Sequence, residues 1–321
     1  MFASDRAALS SSSTAVHPVR NERPRETEDP LLEAVGHTPL LPLRRIAAGS
    51  AFELWAKAEF LNPSGSVKDR AALGIVRHAL ESGLLSEGKV LLDASSGNTA
   101  VAYAMLGARL GFPVELCVPR NANPDRVAKM LAFGARLIFT DPAEGSDGAQ
   151  REARRLAAED PVHRYYPDQY NNRANPDAHY ASTGPEIWRA ARGRITHLVA
   201  GVGTGGTISG TGRYLKEQDP RIRVVGVEPT GPLHGIEGLK HLPTALRPST
   251  YDAEVVDETV RVETEEADRF RRRLAELEGV SAGISSGAAV AASIEVGRRA
   301  PGSVVVTILP DGGHVLPEDG P

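Results

Sequence analysis

One cysteine, Cys117, in 321 residues excludes an intrachain disulfide and any metal centre built from several thiolates. It lies in the apolar run Val114-Glu115-Leu116-Cys117-Val118, where a small buried residue is expected. Long apolar runs are missing as well: none approaches the roughly 20 residues that cross a bilayer. Residues 1–30 carry Ser10 to Ser13 in a row and mix arginines with acids. They lack the apolar core of a signal peptide, and their acids speak against a transit peptide. A disordered tail is expected there, and a cytoplasmic protein. Excess positive charge is absent too. At a formal net charge of −4, neither nucleic acid nor an anionic membrane is an expected partner. Hydrophobic content of 41% and charge of 24% are ordinary for a globular protein, and the length admits one large α/β unit or two modest domains.

Lysine is scarce, with six against 31 arginines. One of the six, Lys68, sits in Asn62-Pro63-Ser64-Gly65-Ser66-Val67-Lys68-Asp69-Arg70, which opens onto the apolar run Ala71 to Val76. An amine can lose its proton and attack a carbonyl; a guanidinium cannot. Lys68 is therefore a candidate nucleophile, against the ordinary alternative of a helix-start lysine in solvent.

From Leu31 onward, short apolar strands alternate with helical patterns. Strands are expected at Val90–Ala94, Val114–Val118, Leu137–Thr140, His197–Ala200, Ile222–Val227, Val260–Val262 and Val304–Leu309. Helices are expected at Thr99–Leu110, Pro124–Phe133, Gly148–Ala158, Ile208–Lys216, Thr264–Glu278 and Ala288–Arg299. Strands that are apolar throughout are covered on both faces, so the pattern predicts an α/β fold with parallel sheets. The Asn- and Pro-rich segment from Tyr165 to Asp177 is a candidate crossing between two lobes.

Three loops between a strand or turn and a helix carry polar chemistry. Gly201-Val202-Gly203-Thr204-Gly205-Gly206-Thr207 turns backbone amides toward one point, adds two hydroxyls and runs into a helix N-terminus, a combination suited to phosphate. It also satisfies a dinucleotide fingerprint through Gly201, Gly203 and Gly206, with Glu228 placed as the ribose acid, so a nicotinamide dehydrogenase is a rival. Ser95-Ser96-Gly97-Asn98-Thr99 offers hydroxyls, an amide and a helix start to a carboxylate; an ordinary capped helix is the alternative. In Gly283-Ile284-Ser285-Ser286-Gly287-Ala288, a serine can meet a heteroaromatic nitrogen or simply cap a helix. Two anion sockets and one lysine suit a small amino acid on one side and a phosphate-bearing aldehyde cofactor on the other.

These segments, together with Gly36-His37-Thr38-Pro39-Leu40, Asn175-Pro176, His179-Tyr180, Thr183-Gly184-Pro185-Glu186 and Val227-Glu228-Pro229, resemble the cysteine synthase and cystathionine β-synthase family of fold-type II pyridoxal-phosphate enzymes, from about Leu31 to Asp311. The resemblance implies two lobes, each with a mostly parallel sheet flanked by helices. The larger holds 31–61 and 173–321 and binds the cofactor phosphate; the smaller, mobile one holds 62–172. It implies that Lys68 takes pyridoxal phosphate covalently and moves the substrate α-proton. Gly203, Thr204, Gly205, Gly206 and Thr207 would cradle the phosphate, Asn98 would meet the ring hydroxyl, and Ser285 (or Ser286) the pyridine nitrogen. Ser95, Ser96, Thr99 and Gln169 would take the substrate carboxylate. A serine at the ring nitrogen moderates the electron sink, which suits β-elimination. The implied reaction converts O-acetyl- or O-phosphoserine and sulfide or a thiol donor into cysteine or a relative, in a homodimer. Lys240, on the substrate-facing segment Pro232 to His241, would meet a phosphate leaving group.

Two departures from the family pattern stand out. Ala100 replaces the usual Gly after Asn-Thr, and the C-terminal stretch reads Pro310-Asp311-Gly312-Gly313-His314-Val315-Leu316-Pro317, with His314 either surface or a new site group. An amine nucleophile giving a 2,3-diaminopropionate-type precursor, a serine/threonine dehydratase, and a non-catalytic binding protein on the same fold remain alternatives.

Overall fold

The computed structural model describes residues 29–313; the expected tail up to residue 28 and the C-terminal residues from His314 lie outside the described residues. The chain begins with α1 (Pro30–Glu33), β1 (Leu40–Pro42), β2 (Glu53–Ala58), α2 (Lys68–Glu81), β3 (Val90–Ala94), α3 (Asn98–Leu110) and β4 (Val114–Pro119). It continues with α4 (Pro124–Ala132), β5 (Arg136–Thr140), α5 (Gly145–Glu159), β6 (Arg164–Tyr165), α6 (Ala174–Ala181) and α7 (Thr183–Ala190). The remainder is β7 (His197–Gly201), α8 (Gly206–Gln218), β8 (Arg223–Pro229), β9 (Glu258–Val262), α9 (Thr264–Glu278), α10 (Ile284–Arg299) and β10 (Val304–Leu309).

The strands form two sheets, one ordered β1-β2-β10-β7-β8-β9 and one ordered β5-β4-β3-β6. Every pairing is parallel except β1 with β2. The expected α/β fold of two lobes is thus realised. β4 and β10 are buried at every position, as their largely apolar sequences require, and Glu115 of β4 is paired with Arg136 and Arg164. Cys117 lies in β4, fully buried, and burial pushes its thiol up to about 12.

One core joins α2 and α3 to β3 and β4 and takes in Leu32 of α1; two others cover the faces of the larger sheet. α3 packs closely through small residues. A Cβ on Gly107 would stand 2.4 Å from Val114 Cγ2, so that helix can lie on its sheet only with glycine there. Gly111 in the left-handed region ends α3, and Asn123 caps α4, accepting from the amides of Asp125 and Arg126 behind Pro124.

β2, α6 and α7 lie outside the expected elements. β2 carries Lys57, a charge inside its buried C-terminal half, and its partner Glu186 is far away in sequence. α6 and α7 each contain proline, but in the first turn, where the missing N–H has no helical partner to lose. The central strand of the larger sheet is β10, which lies between β2 and β7. Its exit, Pro310 to Gly312, therefore runs beside the entrance to α2. Val67 N donates to Pro310 O at 2.7 Å, and Ser66 bridges Asp311.

Candidate active site

A cleft of about 280 Å³ lies between the two sheets at the C-terminal ends of β3, β7 and β10. Lys68, the first residue of α2, lines it. The approach is built locally. Gly65 takes φ +97°, and Asp69 Oδ2 accepts from Ser64 N at 2.6 Å while its other oxygen accepts from the Ser64 hydroxyl, so the chain folds back on itself just before the lysine. Burial pushes Asp69 up to about 6 despite those bonds. Burial likewise holds the Lys68 ammonium below the usual lysine value, with Asp311 opposing the shift and Arg126 adding to it.

The glycine loop closes one end of the cleft. Gly201, Gly203, Thr204, Gly205 and Thr207 line it; Gly206 does not and is packed beneath. Gly205 has φ +85°, which turns the chain into α8. A Cβ on Gly206 would stand 2.0 Å from Asn175 Oδ1, and one on Gly203 2.3 Å from Gly238 O. Gly203 and Gly206 are thus required by close packing against Gly238 and Asn175. Thr204 is held from behind, accepting from Asn175 Nδ2 at 3.1 Å.

The second socket faces it. Ser95, Ser96, Gly97, Asn98 and Thr99 all line the cleft at the start of α3. Thr99 donates to Gln169 Oε1 at 2.7 Å, and Gln169, itself in the lining, is 4% exposed. Ser285 lines the cleft, whereas Ser286 is fully buried with its hydroxyl unpartnered, so Ser285 is the serine placed for a ligand. Lys240 lines the cleft with its ammonium 4.9 Å from the centre of the Tyr170 ring. Glu228, the acid of the dinucleotide alternative, is buried away from the cleft.

Behind Lys68 the remaining motif residues converge on a buried charge cluster. Arg70 pairs with Glu59 and with Glu186, both at 2.7 Å, and Lys57 reaches Glu186 at 2.5 Å. Thr38 donates to Glu59 at 2.6 Å, and Asn62 accepts from Gly36 N at 2.7 Å. Burial raises Glu186, but the Arg70 and Lys57 bonds win and bring it to about 2. The first turn of α2 is thereby bolted to β2 and α7.

His179 sits close by, wholly buried, with Nδ1 2.9 Å from Thr183 Oγ1 and Nε2 3.2 Å from Thr207 Oγ1. Burial, with Arg70 adding to it, pushes its pKa down to about 3 from 6.5. Above pH 6.5 the ring is neutral in both folded and unfolded chains and costs nothing; below it, only the unfolded chain takes the proton. The contribution of His179 to stability is therefore expected to fall by about 1.4 kcal/mol per pH unit as pH drops from 6.5 toward 4, against an opposite contribution from Asp69, and the slopes of wild type and His179→Asn to differ by that amount. Urea titrations at several pH values read this. Equal slopes in both proteins would mean that His179 is not the titrating group.

Four cleft residues escaped the sequence. Arg126, on α4, is 7% exposed, donates to Glu237 at 2.8 Å and has its Nε unpartnered. Asp311, at the exit of β10, accepts from Asn98 Nδ2 at 2.8 Å. Tyr170 and Glu237 complete the wall. Pro124 announced a helix but not that its first turn faces a cleft, and Asp311 gains its position only through the long-range insertion of β10.

A nucleophilic amine, a glycine loop with the hydroxyl residues Thr204 and Thr207 in the cleft lining, and cationic groups at Lys68, Arg126 and Lys240 fit a phosphate-bearing aldehyde. A Cβ on Gly97 would meet nothing within 4 Å, so the space in front of the second socket is open. Residues 31–311 match the family described as pyridoxal-phosphate dependent enzyme. The chain belongs to this family. It is therefore a pyridoxal-phosphate dependent enzyme, and its likeness to cysteine synthases is close. It is 49% identical over 297 residues to the cysteine synthase of Aquifex aeolicus, covering 90% of this chain and 91% of that one. It is 42% identical over 283 residues to cysteine synthase B of Salmonella typhimurium, covering 88% and 92%. The crystal structure of cysteine synthase from Entamoeba histolytica superposes with a TM-score of 0.85 at 29% identity, over 99% of this chain and 96% of that one. Among the described residues no helix is long and apolar enough to cross a membrane.

Proposed function

We propose that the chain is a cysteine synthase that replaces the activated β-oxygen of O-acetyl-L-serine with sulfide. The observation that carries this is the meeting, in one cleft, of the Lys68 amine with the Gly201–Thr207 loop on one side and the Ser95–Thr99 loop on the other. Gly203, Thr204, Gly205 and Thr207 hold the phosphate, with Gly206 setting the loop from beneath; Asn98 and Ser285 orient the ring. Bound pyridoxal phosphate supplies an electron sink for the charge left when the α-proton departs. Lys68 takes that proton, its lowered basicity keeping more of the amine free, and later returns it.

Ser95, Ser96 and the amides at the start of α3 receive the substrate carboxylate. Thr99 has spent its one proton on Gln169, so Gln169 Nε2, which in this state reaches only Ala94 O at 3.5 Å, is the freer donor of that pair. Residues 62–172 form the lobe that closes over the substrate and keeps out water, 31–61 and 173–321 the lobe that holds the cofactor. The working form is a cytoplasmic homodimer, in line with the resemblance.

Incubating the purified protein with O-acetylserine and sulfide tests the proposal, with cysteine as the expected product. Release of an α-keto acid without cysteine would point to a dehydratase instead. The activating group can also be phosphate, and Lys240 is the cation placed to meet it. Lys240→Ala is expected to lower kcat/KM for O-phosphoserine about tenfold while leaving O-acetylserine within about twofold. An unchanged ratio would assign Lys240 to packing on Tyr170 alone.

A further inference from the structure

We propose that Asp311 is a positioning residue that decides which end of the Asn98 amide faces the cofactor. The inference rests on the proposed contact of Asn98 with the cofactor ring. Asn98 Nδ2 donates to Asp311 Oδ2 at 2.8 Å. A carboxylate only accepts, so it holds the NH2 end of the amide; a flipped amide would set its oxygen against a carboxylate oxygen. With one N–H given to Asp311, the second stays available to the cleft as a donor. A ring hydroxyl or its phenolate ion accepts from such a group, and the reversed amide would offer it only another acceptor.

Asp311 has little freedom to do otherwise. Its carbonyl accepts from Gly283 N at 3.0 Å, and its backbone bridges Ser66. Its Oδ1 is buried, has no partner, and occupies the place of an absent side chain: a Cβ on Gly283 would stand 2.1 Å from it. That packing leaves Oδ2 as the oxygen turned toward the smaller sheet, where it also lies 3.6 Å from Arg126 Nη2. One carboxylate at the exit of β10 thus holds groups from α3 and α4.

The test uses the enzyme with its cofactor bound and compares Asp311→Ala, Asp311→Asn, Asn98→Ala and the double variant Asp311→Ala with Asn98→Ala. Asp311→Ala frees the amide to turn. The ratio of visible to ultraviolet cofactor absorbance is expected to shift at least about twofold and kcat to fall about tenfold, with KM for the amino-acid substrate within about twofold. Asp311→Asn can present either its oxygen or its NH2 and so only partly fixes the amide; it is expected to fall between wild type and Asp311→Ala in both measurements. The double variant is expected to match Asn98→Ala, because Asp311 acts through Asn98. Additive effects, or a wild-type spectrum in Asp311→Ala, would overturn the assignment. Asp311→Val repeats the test should the alanine variant fail to accumulate. The spectra need no turnover. If they behave as expected while O-acetylserine is not consumed, the substrate assignment fails and the role of Asp311 stands.

Discussion

Lys68→Ala is expected to lose at least about 10³-fold in turnover, together with the cofactor absorbance that borohydride fixes in place in the wild type. Two functions vanish with one side chain: the covalent hold on the cofactor and the base that moves the α-proton. Nothing nearby substitutes. Lys240 is occupied over Tyr170, and Arg126 has a guanidinium that gives up no proton at working pH. The remaining loops still form a phosphate socket, so the variant should bind the cofactor weakly and release it on dialysis. Absorbance before and after borohydride reduction, followed by dialysis, gives the answer. A variant that keeps the fixed absorbance would show that another amine forms the bond and would remove Lys68 from the mechanism.

The second large effect concerns stability. Arg70→Ala is expected to cost about 3–5 kcal/mol, the range for breaking a buried ion pair by removing one partner. The reason is the geometry around it. Glu59 is fully buried and Glu186 partly so, and both pair with the Arg70 guanidinium. Of the two acids Lys57 pairs directly only with Glu186, its other bond going to Thr38 O, so without Arg70 the direct donors to Glu59 are the neutral Thr38 and Asn62. Adding Glu59→Gln should recover part of the loss, since the stranded charge goes with it. Urea unfolding of the single and double variants measures both. A loss under about 1 kcal/mol for Arg70→Ala would mean that water relieves the cluster and that it does not brace α2.

Much of the site was legible because its parts are local. A strand, a few glycines or serines and a helix start are contiguous in the chain, and the chemistry of Lys68, Ser95–Thr99 and Gly201–Thr207 follows from backbone geometry within a few residues. The glycines carried a double meaning. Gly203 and Gly206 are fixed by Gly238 O and Asn175 behind the loop, so a glycine-rich sequence alone does not separate ligand contact from close packing. The resemblance already favours Ser285 over its neighbour, and the first turn of α10 does turn Ser285 into the cleft lining. Arg126 and Asp311 were out of reach for a different reason. Each is unremarked in its own segment and becomes a cleft residue only when α4 and the exit of β10 meet across the two sheets. Lys57 hid β2 in the same way, its neutralising partner being 129 residues further on.

The pairing of Val304 with Glu53 closes a loop of about 250 residues, and the same strand must also find His197. Until it does, β2 and β7 present bare edges to any other chain, and neither Asp311 nor the support for Val67 exists. Assembly of the catalytic centre is thus tied to a late, slow event in folding. A vitamin-derived ligand that requires this centre would report completion of the fold and, by binding the finished state alone, would hold it against reopening.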